Sequence, residues 1–133
     1  MSALDPLQRD LVKCEDMRIW AERAREFLAS RSLEEYRADP MLQAAVVRCV
    51  EVIGEAARLV SEDTRRRAPK IPWPLVTGMR NVLAHEYGAV DLEKVYEVVT
   101  VHLPDLLIHL DALIPALEKD VGWEGDEETD SAP

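Results

Sequence analysis

The chain is 133 residues long, with 47% hydrophobic and 32% charged residues and a formal net charge of −10. That length fits one domain around a single core, and that composition excludes a disordered chain. The N-terminus Met1-Ser2-Ala3-Leu4-Asp5-Pro6 has no basic start or apolar signal core, and the longest apolar runs fall far short of the roughly 20 residues a membrane span needs, so a soluble, cytoplasmic protein is expected.

With five Gly in the chain and apolar residues at helical spacing, an all-α fold is expected. Asp5 as N-cap and Pro6 at the first position predict a helix to about Ala29, with a stripe through Leu7, Leu11, Cys14, Met17, Ala21, Ala24 and Leu28. Ser32-Leu33-Glu34-Glu35 reads as a capped start for a short turn that Asp39-Pro40 breaks. The next helix starts at Pro40, buries Leu42, Val46, Cys49, Ile53, Ala57 and Val60, and is expected to fade near Arg66; its Gly54, Ala56 and Ala57 leave room for a close neighbour. Cys14 and Cys49 fall on apolar faces of different helices, which suits reduced core residues.

Three prolines make 68–74 a stiff loop, from which Pro74 opens a helix that Gly88 should end as a left-handed cap. Asp91 then caps a long final helix with a stripe of Leu92, Val95, Val99, Leu103, Leu106, Leu110, Leu113 and Leu117, kinked at Pro104. Residues 1–119 are read as the helical domain and 120–133 as an acidic, disordered tail. The charge is uneven: residues 1–90 carry 14 acidic and 14 basic side chains, whereas 118–133 carry seven acidic and one basic. The overall acidity therefore does not exclude a nucleic-acid partner, and an acidic tail competing with RNA is a weaker possibility.

Arg80-Asn81-Val82-Leu83-Ala84-His85-Glu86-Tyr87 is the stretch with most chemistry. Arg is a permanent forked cation for phosphate, His moves protons near neutral pH, and Tyr offers a modifiable hydroxyl. Arg80 and His85 together form a minimal metal-free kit for RNA cleavage. On an unbroken α-helix Arg80 and Tyr87 lie within about 20° of each other and Asn81 and His85 within about 40°, whereas Arg80 and His85 are about 140° apart. Either the helix loosens between Ala84 and Tyr87 or the site is assembled from two copies, and a two-fold homodimer is preferred. The plainer account is that Arg80 pairs with a carboxylate, His85 is satisfied at a helix end and Tyr87 packs on the surface.

Other residues have two readings each. Arg65, Arg66, Arg67 and Lys70 could track an RNA backbone or be a solvated helix end favoured by the dipole. Trp73 suits a packing anchor better than a base-stacking platform. His102, Asp105 and His109 suit a polar flank or subunit contact better than a metal site, and no cofactor is expected. There is no P-loop, no glycine-rich dinucleotide turn and no triad pattern.

Several separated blocks agree in order and spacing: Val52-Ile53-Gly54-Glu55-Ala56-Ala57, Ile71-Pro72-Trp73, Gly78-Met79-Arg80-Asn81 and Leu83-Ala84-His85-Glu86-Tyr87. Over roughly residues 7–117 the chain resembles the HepT-like branch of the HEPN superfamily. The resemblance implies an all-α bundle of four to five helices acting as a homodimer, a metal-independent ribonuclease toxin, and a minimal nucleotidyltransferase antitoxin that transfers AMP onto the motif tyrosine, here Tyr87. It further implies that Arg80 binds the scissile phosphate, His85 is the general acid or base, Asn81 supports His85 or the RNA backbone, and Tyr87 lines the cleft. A catalytically weak HEPN module that serves as partner or modification target is the alternative, and a plain dimerisation domain a third.

Overall fold

The local signals at the N-terminus act as expected. In the computed structural model, which describes residues 4–82 and 90–122, helix α1 (Pro6–Leu28) begins with a reciprocal box: Asp5 Oδ1 accepts the Gln8 N–H at 2.9 Å, and Gln8 Oε1 accepts the Asp5 N–H at 3.0 Å. Leu11, Cys14, Met17, Ala21, Ala24 and Leu28 are buried, at steps of three or four. A second box, between Ser32 and Glu35, starts α2 (Leu33–Arg37). Asp39 caps α3 (Pro40–Arg58) by accepting the Leu42 N–H at 3.0 Å.

Helix α3 stops earlier than the expected fade near Arg66. The chain breaks at Leu59 and Val60, and Ser61 caps a separate helix α4 (Glu62–Arg67). A long-range contact fixes the start of α4: the buried Asp10 carboxylate of α1 accepts the Ser61 N–H at 3.0 Å and the hydroxyls of Ser61 and Thr64 at 2.5 Å each. These bonds satisfy a carboxylate that is 3% exposed, and burial of a charge without them would be costly.

The proline loop is present, and Trp73 anchors it: its indole N–H donates to the Ala68 carbonyl at 3.1 Å and the ring is buried. Trp73 therefore packs inside the protein. Helix α5 (Trp73–Thr77) is short, and the backbone tightens into a 3₁₀ segment over Gly78–Val82. The expected α-helix from Pro74 to the motif's end is thus corrected in its first part, and residues 83–89, with its remainder and the Gly88 cap, lie outside the described residues.

Asp91 caps α6 (Leu92–Glu97) by accepting the Lys94 N–H at 3.1 Å. The expected continuous final helix instead contains a π-type turn at Val98–His102 before α7 (Leu103–Val121). The widened turn lies just ahead of Pro104, which lacks an N–H and would press its ring on the carbonyl four residues back in a regular helix. Helix α7 runs past the expected boundary at 119 and ends at Gly122 in the left-handed conformation, with φ 82°. Residues 123–133 of the expected tail lie outside the described residues.

Helices α1 and α3 pack together, α7 lies against α1, and α5 with the 3₁₀ segment lies against α3. The result is an all-α bundle, with no strand among the described residues. The run Leu92–Val121 is long and apolar enough by composition to cross a membrane, although charged residues such as Asp105 and Asp111 interrupt it. Its stripe of Leu103, Leu106, Leu110, Leu113 and Leu117 is buried in the core.

Candidate active site

Arg80 is placed by its backbone. Gly54 on α3 lies so close to it that a Cβ built on Gly54 would meet the Arg80 nitrogen at 2.3 Å and its Cα at 3.1 Å. Only a residue without a side chain lets the 3₁₀ segment sit this deep against α3. The Arg80 side chain then emerges half-exposed into a cleft of about 440 Å³ between α1, α3 and the 3₁₀ segment.

Three cations and three carboxylates line this cleft, together with the apolar Val52, Ala56 and Leu59. Lys13 lies 3.9 Å from Asp16, Arg48 lies 2.6 Å from Glu51, and Arg80 Nε lies 3.6 Å from Glu55 Oε2. Glu55 Oε1 accepts two hydrogen bonds from Arg58, from Nε at 3.0 Å and from Nη2 at 2.6 Å. Those bonds, with the positive charges of Arg58, Arg80 and Lys13, hold the Glu55 carboxyl below its ordinary range. The same contact raises Arg58. The plainer account of Arg80, that it pairs with a carboxylate, therefore holds in this conformation. Since ion pairs this exposed are weak, an incoming phosphate can displace Glu55.

Asn81 is exposed next to Arg80 on the 3₁₀ segment. Over Gly78–Val82 each turn holds three residues, so the α-helical angle of about 140° between Arg80 and His85 does not describe this segment. His85, Glu86 and Tyr87 lie outside the described residues.

The basic run is not brought to the Arg80 cleft. Arg65 Nη2 donates to the carbonyls of Ala57 and Arg58 at 3.1 and 3.4 Å, and its guanidinium lies 5.5 Å from the centre of the Trp73 ring. It caps the end of α3 and is a structural residue. Arg66 pairs with Asp63 at 2.5 Å, and Arg67 with Asp120 at 2.7 Å. Arg67 and Lys70 line a different cavity, of about 420 Å³, with His109 and the apolar Ile71, Ala112 and Leu113. His109 lies 3.6 Å from Asp105, and no group of three metal-ligating side chains occurs among the described residues.

Glu55, Arg58, Lys13 and Arg48 were not among the site residues expected from the sequence. Glu55 and Arg58 carried a signal, an acid and a base one helical turn apart beside a glycine. Lys13 carried none, because its place at the cleft depends on how α1 lies against α3.

Similarity to known proteins identifies the family. Residues 17–113 match the family model described as Ribonuclease HepT-like. Among similar proteins, Probable ribonuclease HepT of Thermococcus cleftensis is 35% identical over 92 residues, which is 69% of this chain and 84% of that protein. A Methanocaldococcus jannaschii protein named as a candidate RNase is 34% identical over 93 residues, 70% of this chain and 80% of its own. Another so named, from Caldanaerobacter subterraneus, is 38% identical over 85 residues, 61% of this chain and 76% of its own. No solved structure gave a match. With its all-α bundle, its Arg80 cleft and a family match across most of its length, the chain belongs to the HepT-like ribonuclease family of the HEPN superfamily.

Proposed function

We propose that this protein is a metal-independent endoribonuclease toxin of a toxin–antitoxin pair, acting in the cytoplasm. The observation that carries the reading is Arg80: a half-exposed guanidinium, backed by Gly54, opening into a cleft large enough for a phosphate and its ribose. In this mechanism Arg80 binds the scissile phosphate and offsets the charge that builds on its oxygens. His85 takes the proton from the ribose 2′-hydroxyl or gives one to the leaving oxygen. The 2′-oxygen bonds to phosphorus as the 5′-oxygen departs, leaving a cyclic phosphate on one fragment and a hydroxyl on the other. Asn81, beside Arg80 on the 3₁₀ segment, supports His85 or the RNA backbone.

The active form in this reading is a homodimer whose interface completes the cleft. Supporting it are exposed apolar residues one heptad apart, Val12 and Ile19 on α1 and Val101 and Ile108 on the final helical run. A minimal nucleotidyltransferase antitoxin silences the toxin by placing AMP on Tyr87, which adds bulk and negative charge where the RNA phosphate must enter. The domain in this reading runs to the end of α7 at Val121, past the expected 119, and the acidic residues after it solubilise the chain.

The test is cleavage of a mixed tRNA pool by the purified, unmodified protein in EDTA, beside Arg80→Ala and His85→Ala. Cleavage by the wild type alone, with all three proteins equally helical and of equal assembled mass, is expected. Failure of the wild type to cut any RNA in the pool would overturn the reading and favour a HEPN binding module.

A further inference from the structure

We propose that Glu55 is a positioning residue for Arg80, a role that rests on the reading of Arg80 as the phosphate-binding residue. Two adjacent residues of α3 then hold the two halves of one functional arginine. Gly54 seats its backbone, and Glu55 directs its guanidinium.

The two oxygens of Glu55 have separate partners. Oε1 is held by both hydrogen bonds from Arg58, which leaves Oε2 facing Arg80 Nε at 3.6 Å. That distance is an ion-pair contact and too long for a hydrogen bond, and among the described residues the Arg80 guanidinium donates no hydrogen bond. Glu55 thus orients Arg80 by charge without consuming the forked donors that a phosphate needs. Lys13 and Arg48, which share the cleft, are paired with Asp16 and Glu51, so Glu55 is the cleft carboxylate that faces Arg80.

Arg58 makes the exchange affordable to the site. When Arg80 turns to a phosphate, Glu55 keeps both bonds from Arg58, so its carboxylate is neither unpaired nor presented as a bare charge to the RNA. No bond is made or broken in this step; one ion pair is traded for another.

The full-length chain with Glu55→Gln, which keeps shape and removes charge, tests the role, with Glu55→Asp as the charge-retaining variant. Cleavage kinetics are read on the RNA of the tRNA pool that the wild type cuts. The Arg80 Nε–H resonance is followed by NMR during titration with inorganic phosphate. Misdirection of Arg80 is expected to lower kcat about two- to fivefold in Glu55→Gln, the range an exposed ion pair can supply, with KM changed less than about twofold. Glu55→Asp should recover part of that loss. The Arg80 resonance should shift in free Glu55→Gln and respond less to phosphate. Lower KM at unchanged kcat would overturn the proposal, because Glu55 would then only shield the phosphate site. An Arg80 resonance and phosphate response identical to wild type would also overturn it. If the wild type cuts no RNA, the ribonuclease reading fails, and the phosphate titration alone decides whether Glu55 directs Arg80.

Discussion

Gly54 and Arg80 touch through their backbones: a methyl group on Gly54 would stand 2.3 Å from the Arg80 nitrogen. Position 54 is therefore the seat of Arg80, and the contact gives the first prediction. In Gly54→Ala the new methyl meets backbone, which cannot rotate away, so the 78–82 segment must shift. The overpacking cost of about 1–3 kcal/mol exceeds the gain of about 1 kcal/mol from better helix propensity. A lower urea midpoint together with a larger loss of RNA cleavage than the stability change explains is the expected result. An unchanged midpoint and full activity would show that the 3₁₀ segment is not held by α3.

Asp10→Ala should destabilise the bundle by about 3 kcal/mol, because it strands the Ser61 N–H and the hydroxyls of Ser61 and Thr64 in a buried position. Asp10→Asn should cost less, since its amide still accepts through one oxygen. Chemical denaturation of the three proteins orders them, and equal stability of Asp10→Ala and wild type would remove Asp10 as the contact that fixes the start of α4.

Neighbouring arginines of the basic run should behave differently. Arg65→Ala removes a cap on two α3 carbonyls and a cation lying over Trp73, and should lower stability by about 1–2 kcal/mol. Arg66→Ala removes only an exposed pair with Asp63 and should stay within about 0.5 kcal/mol of wild type. Thermal denaturation distinguishes them. Comparable stability of the two variants, with a common loss of RNA affinity, would return both to an RNA-tracking role.

The two thiols should be silent in the folded protein. Burial, aided by the Asp10 and Glu15 charges, pushes Cys14 up from 9.0 to about 12, and burial pushes Cys49 up to about 11. Near pH 8 a disulfide reagent should titrate neither until denaturant is added. Because the folded state keeps protons that the unfolded chain releases, the thiols' contribution to stability is whole below pH 9 and is lost as pH rises through about 11 and 12. Stability that stays flat from pH 9 to 11 would contradict this.

Much of the fold was legible locally. Asp5, Ser32 and Asp91 cap the helices their positions predicted, and the stripe of α1 is the one its spacing gave, because caps and amphipathic faces depend on residues a few positions apart. The break after Arg58 was not expected, and the Asp10 carboxylate that holds Ser61 and Thr64 there comes from another helix. The same limit applied to the site: the motif named Arg80, but its backbone seat and its ion partner come from α3.

The sequence by itself determined the helical class, the family and the chemistry Arg80 can supply, because these depend on residue types and their short-range spacing. Tertiary structure decided that Arg65 caps a helix end while Arg80 opens into a cleft, that Trp73 is buried, and that Glu55 stands between Arg58 and Arg80. Whether a charged side chain is spent on packing or left available depends on which groups from distant parts of the chain come within reach of it, and that distance is set only when the helices pack.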